Sequence, residues 1–179
     1  MLTKPKPYDC GFFLTKSLST LNSVFQNANA AYLATGVSDI PSPYNIGLEN
    51  SRRFRALPVY AVLLSHGSLG LSEMFARQVR LARGIAKFLD THEEYELLAQ
   101  PKEGENTFQN THIIVIFKAK DDTINTELVQ RINGTRKMYV SGTSWDGIPA
   151  VRIAVSTWRV EVERDLSLVS EVLKGVLRK

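Results

Sequence analysis

The side chains best suited to metal or nucleophilic chemistry are few and lie far apart. The chain has three histidines, His66, His92 and His112, and a single cysteine, Cys10. No pair among them has the short spacing of a zinc site. Ser65 directly precedes His66, but no oriented acid or nucleophile elbow accompanies them. The sequence therefore predicts structural histidines and a buried, structural Cys10, rather than a metal centre or a hydrolase triad.

Composition indicates an ordinary globular chain. Of the 179 residues, 44% are apolar and 22% are charged, a balance typical of proteins that bury a core. The net charge is +4, but the lysines and arginines are spread along the chain, which argues against a nucleic-acid-binding surface. A single cysteine excludes an internal disulfide, and neither a long apolar run nor a secretory leader is recognisable. We expect a cytoplasmic protein with no membrane or nucleic-acid partner.

Apolar periodicity predicts mostly helical structure in the first half of the chain. Residues 8–15 are the exception, because they are aromatic and apolar around a glycine and therefore predict a strand. Residues 19–31 are weakly helical. A further helix is predicted up to Gly67, and the clearest amphipathic helix covers residues 68–90, with apolar side chains at i, i+3 and i+4 and arginines opposite.

The second half of the chain is predicted to alternate short strands with helices. The predicted elements are strands over 95–99 and 111–118, a helix from Asp122 or Thr123 to Gly134, strands over 137–141 and 150–156 around the turn Asp146-Gly147, and a helix over 161–177. The strands are assigned from their β-branched residues and the turn, and the helices from their caps. From Ser68 the order is αββαββα, which is typical of an α+β fold with helices on one face of an antiparallel sheet.

Several stretches of the chain together resemble one enzyme family. They are Pro-Tyr-Asp-Cys-Gly-Phe-Phe at 7–13, Asn-Ser-Arg-Arg-Phe-Arg-Ala-Leu at 50–57, Glu-Leu-Val-Gln-Arg-Ile-Asn at 127–133 and Val-Arg-Ile-Ala-Val-Ser at 151–156. In this order and spacing they resemble the group II pyridoxal-phosphate (PLP) dependent decarboxylases, which include aromatic-amino-acid, tyrosine and glutamate decarboxylases. The resemblance extends over nearly the whole chain.

The resemblance implies a two-part organisation. Residues 1–57 would be a remnant of the PLP-binding, fold-type I large domain, with a strand, a mobile loop and the start of a helix. Residues 58–179 would contain the long helices and the small C-terminal α+β domain. Relatives are homodimers with the active site at the dimer interface, so the resemblance also implies a homodimer or association with a full-length family member.

The resemblance further implies that the cofactor lysine is absent from these residues. In the family it stands about seven positions before an aspartate that corresponds to Asp9, and counting back from Asp9 gives Leu2. Lys4 would share the face of that lysine in a strand. However, neither Lys4 nor Lys6 follows a histidine, and both lie in a Lys-Pro-Lys-Pro segment that is expected to fray.

Tyr32 resembles the mobile-loop tyrosine that delivers a proton in the active site of the neighbouring subunit. A phenol can act as a general acid when it comes within hydrogen-bond reach of the reacting atom. The alternative is a tyrosine that packs at the base of a loop, and we favour this structural role if the chain binds no cofactor.

Asn50, Ser51 and Arg52 resemble a segment that lies next to the cofactor phosphate across the dimer. Ser51 stands where relatives often have glycine, and its hydroxyl and N–H could donate to the phosphate, as could the Asn50 amide. Arg52 and Arg53 could attract the phosphate. Equally, the two arginines could anchor the start of the helix through ion pairs.

Three functional hypotheses follow from the resemblance. In the first, the chain is a truncated relative of a PLP-dependent amino-acid decarboxylase that binds no PLP and cannot decarboxylate alone. In the second, it is a non-catalytic subunit that associates with a full-length decarboxylase through apolar helix faces. In the third, it is a repurposed, cofactor-independent enzyme with a pocket near Tyr32, Arg52, Arg53 and His66.

Overall fold

The computed structural model describes residues 11–25, 46–49, 51, 53–98 and 108–178. The elements are α1 (Leu18–Phe25), α2 (Ala56–Thr91), β1 (Tyr95–Leu97), β2 (Ile114–Ala119), α3 (Asp122–Gly134), β3 (Ser141–Trp145), β4 (Ile148–Ala154) and α4 (Val162–Val176). They divide into two compact units, the first ending at Ser65 and the second beginning at His66. The predicted order αββαββα after Ser68 and the α+β class are confirmed.

Helix α2 consists of two helical segments that meet at Gly67. Gly67 has φ 61° and ψ −178°, a combination that is essentially restricted to glycine. The predicted helix boundary at this residue is therefore confirmed. The two segments differ in burial, because all the buried residues of α2 lie after Gly67, namely Gln78, Leu81, Ala82, Ile85, Ala86 and Leu89.

The strands form one antiparallel sheet in the order β1-β2-β4-β3. Phe117 at its centre lies opposite Leu97 on one side and Val151 on the other. Residues paired across neighbouring strands point to the same side of the sheet. All three are buried, so this side of the sheet faces the core. Asp146 (φ 49°) and Gly147 (φ 80°) connect β3 to β4. Two successive positive φ values are typical of a type I′ hairpin turn, so the predicted turn is confirmed.

The core lies between one face of the sheet and the helices. Leu89 of α2, Phe117 of β2, Leu128 and Ile132 of α3 and Leu173 of α4 are all 0% exposed and belong to one cluster. The Tyr95 side chain extends through this core, and its hydroxyl donates to the Leu173 carbonyl at 2.8 Å. The helices after Gly67 therefore pack on the same face of the sheet.

Two predicted strands are corrected by the structure. Residues 11–15, the described part of the predicted strand 8–15, form no strand, because an extended segment needs a neighbouring strand for its hydrogen bonds. The strand predicted over 137–141 begins at Ser141 instead. The reason is Asn133, whose side chain accepts from Val140 N at 2.8 Å and donates to Val140 O at 3.0 Å. These bonds tie Val140 to the end of α3.

The start of α3 also differs slightly from the prediction. Asp121, one residue earlier than expected, is the N-cap, and its side chain accepts from Ile124 N at 2.9 Å. Such a bond satisfies a backbone donor that the helix itself leaves unpaired. The predicted end of α3 at Gly134 is confirmed.

Candidate functional site

Most of the candidate cofactor residues lie outside the described part of the chain. Tyr32, Asn50 and Arg52 do, and so do the lysines Lys4 and Lys6. The alternatives for Tyr32 as a proton donor or a packed tyrosine, the roles of Asn50 and Arg52 as phosphate contacts, and the expectation that Lys4 and Lys6 do not replace the cofactor lysine therefore stay predictions. The structure describes Ser51 and its neighbour Arg53.

A bidentate ion pair closes the backbone segment that contains Ser51. Arg55 Nη1 donates to Glu49 Oε2 at 2.7 Å, and Arg55 Nη2 donates to Glu49 Oε1 at 3.3 Å. This fork-to-fork geometry is the stronger kind of ion pair and favours one orientation of the two side chains. Sequence reasoning missed the pair. Opposite charges on the two sides of the Asn-Ser-Arg-Arg stretch were the available signal.

The described residues around Ser51 do not by themselves form a PLP site. A phosphate site gathers several N–H, hydroxyl and guanidinium donors on one concave surface. Ser51 and Arg53 are both exposed, and the Arg55 guanidinium is bound to a carboxylate. The described part of the segment therefore offers donors on an open loop, without the enclosure that would hold the cofactor.

The second unit contains a groove of about 970 Å³ between α2, the β4–α4 connection and the start of α4. Two buried polar side chains organise its wall. Gln78 Nε2 donates to Thr157 O at 2.9 Å, and Asp165 Oδ2 accepts from Glu161 N at 3.0 Å. Gln78 and Asp165 are each only 5% exposed. Because buried polar groups are costly unless they are hydrogen-bonded, these two bonds hold the connection against the helices.

The charged side chains of this groove are largely paired with each other. Asp165 Oδ1 accepts from Arg164 Nε at 3.0 Å and Nη2 at 2.9 Å. This hydrogen bonding raises the pKa of the exposed Arg164 guanidinium above its ordinary value. Lys137 Nζ lies 2.6 Å from Glu171 Oε1. His66 also lines the groove, but the paired charges position the β4–α4 connection rather than forming a catalytic constellation.

His92 has structural surroundings. His92 lies between Phe88 and Tyr95, with ring centroids 5.3 and 5.2 Å away, and its Nδ1 accepts from Glu94 N at 3.3 Å. His112 is exposed. Within the described ranges, no group of three His, Cys, Asp or Glu side chains could hold a metal ion. No helix in the described part of the chain is both long and apolar enough to cross a membrane.

The most informative sequence relatives are amino-acid decarboxylases. The chain is 29% identical over 127 residues to an aromatic-L-amino-acid decarboxylase of Manduca sexta, covering 70% of this chain and 23% of the relative. It is 28% identical over 145 residues to tyrosine decarboxylase 4 of Petroselinum crispum, covering 79% and 28%. A histidine decarboxylase of Drosophila melanogaster is 27% identical over 133 residues, covering 72% and 15%. No family model matches the chain.

Solved structures show the same fold. Oryza sativa TDC with PLP and tryptamine superposes with a TM-score of 0.63 at 23% identity, covering 77% of this chain and 29% of that one. Catharanthus roseus tryptophan decarboxylase in complex with L-tryptophan gives a TM-score of 0.62 at 20% identity, covering 76% and 29%.

Sequence and fold agree on the relationship, although the chain spans only about a quarter of the length of the first two curated relatives, 23% and 28%. The chain is therefore a homologue, over part of their length, of the group II PLP-dependent decarboxylases that act as aromatic amino acid, tyrosine and histidine decarboxylases.

Proposed function

We propose that these residues are part of a PLP-dependent amino-acid decarboxylase and form its small domain together with the helices that lead into it. The observation that carries the proposal is the 29% identity over 127 residues to the aromatic-L-amino-acid decarboxylase of Manduca sexta, and the fold shared with Oryza sativa TDC, with a TM-score of 0.63 over 77% of the chain, supports it. In this proposal, residues 1–57 belong to the cofactor-binding large domain and residues 58–179 to the helices and small domain.

The 179-residue polypeptide on its own does not decarboxylate amino acids in this proposal. PLP supplies an electron sink for decarboxylation when a lysine holds it in place, and the position inferred for that lysine is Leu2. The proposed proton donor, Tyr32, needs a cofactor-binding surface that other parts of the family's large domain provide. The same holds for the proposed phosphate contacts Asn50, Ser51 and Arg52. The isolated polypeptide therefore binds no PLP.

The exposed start of α2 supports association with another polypeptide. Leu57, Tyr60, Val62, Leu63 and Leu64 are between 47% and 68% exposed. Contiguous apolar surface of this kind marks an interaction site in most proteins. If association covers the exposed halves of these side chains, it contributes about 4–7 kcal/mol before the cost of ordering the partners. We therefore propose that the chain associates with another polypeptide, and a homodimer is the arrangement that the resemblance implies.

The comparisons do not favour the two other hypotheses. The curated relatives named above are all decarboxylases. They therefore give no support to the hypothesis that the chain is a subunit without any part in catalysis. A repurposed enzyme would need a pocket with reactive side chains in place. The groove that contains His66 instead has Arg164 paired with Asp165 and Lys137 paired with Glu171.

Treatment of the purified 179-residue chain with PLP and then borohydride tests the claim about the cofactor. We expect no saturable absorbance band and no single reduced adduct by mass spectrometry, and no carbon dioxide release from tyrosine, tryptophan, histidine or glutamate. Lys4→Arg and Lys6→Arg are the matched controls. A stoichiometric adduct that disappears in one of these variants would show that the chain holds its own cofactor, and the proposal would then be wrong.

An immunoblot tests whether these residues belong to a longer decarboxylase. An antibody raised against residues 108–178 is applied to an extract of the source cells. We expect a band several times heavier than the 20.0 kDa of this chain, since the chain spans about a quarter of its relatives. A single band at 20.0 kDa would contradict this part of the proposal.

A further inference from the structure

The connection between β4 and α4 presents a tryptophan and an arginine at the groove of the second unit. Trp158 and Arg159 both line this groove. The Arg159 guanidinium carbon lies 4.6 Å from the centroid of the Trp158 ring, which is within the range of a cation–π contact. Trp158 nevertheless remains 51% exposed. The two side chains therefore belong to the surface of the groove and not to the core.

The backbone on both sides of this pair is held in place. Thr157 O accepts from the buried Gln78, and Thr157 Oγ1 accepts from Arg159 N at 3.3 Å. On the other side, Val160 is 3% exposed and belongs to the core cluster. Because the connection is anchored before and after the pair, Trp158 and Arg159 keep a defined position. A ligand that binds there has few further groups to order, which is the advantage of a preformed site.

Arg159 is the cation of this groove that has no acidic partner among the described residues. The other lysine and arginine side chains of the groove each lie within 3.9 Å of a carboxylate, namely Arg77, Lys137 and Arg164. The acidic side chains of the groove, Glu161 and Asp165, are both bound to Arg164. The Arg159 guanidinium forms neither an ion pair nor a hydrogen bond with the described part of the chain. A guanidinium that lies over an aromatic ring still has its N–H donors along its edge, so these donors are available to a ligand.

The free guanidinium edge and the lining of the groove indicate a ligand with a carboxylate and an apolar body. The paired N–H groups of a guanidinium match the two oxygens of a carboxylate. Met74 and Leu168 line the same groove and are half-buried, so they offer apolar surface. The volume of about 970 Å³ lies within the range of small-ligand sites, ~300–1,000 Å³. A free phosphate would use the guanidinium alone and leave this apolar surface uncovered.

We propose that this groove is a binding site for a small carboxylate-bearing molecule with an apolar body, and that Arg159 binds the carboxylate. The free N–H groups of Arg159 donate to both carboxylate oxygens, and the apolar body packs on Met74 and Leu168. Since Arg159 lies over Trp158, binding changes the surroundings of the indole. The inference does not rest on the proposed function, because none of these side chains is a proposed cofactor contact.

A fluorescence titration of the 179-residue chain tests the ligand class. The chain has two tryptophans, so Trp145→Phe leaves Trp158 as the reporter. We expect phenylpropionate to change its emission saturably, and phenylpropanol, the neutral analogue, to bind at least about tenfold more weakly because it lacks the charge-assisted bonds. Inorganic phosphate should also bind more weakly than phenylpropionate. The inference is overturned by the lack of a saturable change up to about 10 mM phenylpropionate, by equal binding of the alcohol, or by tighter binding of phosphate.

Equilibrium dialysis with radiolabelled phenylpropionate tests Arg159 without relying on the tryptophan signal. Arg159→Gln removes the charge, whereas Arg159→Lys keeps the charge and loses the paired N–H groups. We expect each substitution to weaken binding about tenfold or more. Lys120→Gln is the matched control, because Lys120 is exposed and does not line the groove, and it should bind as wild type does.

Two results of the dialysis would contradict the role of Arg159. Wild-type affinity in Arg159→Lys would show that a positive charge alone suffices, and equal losses in Arg159→Gln and Lys120→Gln would show diffuse attraction to a basic protein. Thermal unfolding of each variant is the folding control. The PLP and immunoblot results do not depend on these measurements, so the proposed function can stand or fall separately.

Discussion

Asn125 connects the sheet to α3 and provides a quantitative test of the fold. Its Oδ1 accepts from Ala119 N at 3.1 Å, and its Nδ2 donates to Pro149 O at 2.9 Å. In Asn125→Ala both partners lose their bond. Ala119 is 1% exposed, so its N–H stays out of water, at a cost of about 1–3 kcal/mol. Pro149 is exposed, so its carbonyl can bind water and the loss there is only about 0.5–1.5 kcal/mol.

We therefore expect Asn125→Ala to lower the free energy of unfolding by about 1.5–4.5 kcal/mol, measured by urea denaturation and circular dichroism. Thr126→Ala is the matched control on the same helix. Thr126 is exposed and bonds only to the Asp122 carbonyl at 2.9 Å, so its loss should be below about 0.5 kcal/mol. If Asn125→Ala is as stable as Thr126→Ala, the buried bond to Ala119 does not stabilise this sheet and the reasoning is refuted.

Three further predictions concern helix packing, the helix break and pH. Gly84→Val should destabilise the chain by about 1–3 kcal/mol, since a Cβ at Gly84 would lie 3.0 Å from Leu166 Cδ2; an unchanged melting temperature would contradict this close approach. Gly67→Ala should favour a continuous helix and increase the helical circular dichroism, because φ 61° with ψ −178° suits glycine alone; an unchanged spectrum would show that the break does not depend on glycine. Burial raises the pKa of Tyr95 above its ordinary 10.0, so the folded state keeps the neutral phenol and stability should fall as the pH rises above that value. In Tyr95→Phe this alkaline loss should shrink, and the unfolding free energy at neutral pH should fall by about 1 kcal/mol with the bond to Leu173; a pH profile identical to wild type would oppose the assignment.

The candidate site was only partly accessible from sequence. The resemblance pointed to Ser51 and its neighbours, but the closing pair of Glu49 and Arg55 joins residues outside any helical spacing. The Gln78–Thr157 bond joins residues 79 positions apart. The Gln78–Thr157 contact depends on how distant elements pack, so local patterns carry no information about it, whereas the Glu49–Arg55 pair left only the weak signal of opposite charges six positions apart.

Local physical chemistry alone determined the order of the elements, the end of α3 and the tight turn. The αββαββα order, the helix end at Gly134 and the Asp146-Gly147 turn follow from apolar spacing and backbone preference, which act over a few residues. Tertiary structure decided what depends on distant partners. Strand β3 starts at Ser141 because Asn133 binds Val140, and residues 11–15 form no strand because strand pairing requires a neighbour. The exposure of the apolar side chains at the start of α2 also depends on tertiary structure, because burial is a property of the packed chain.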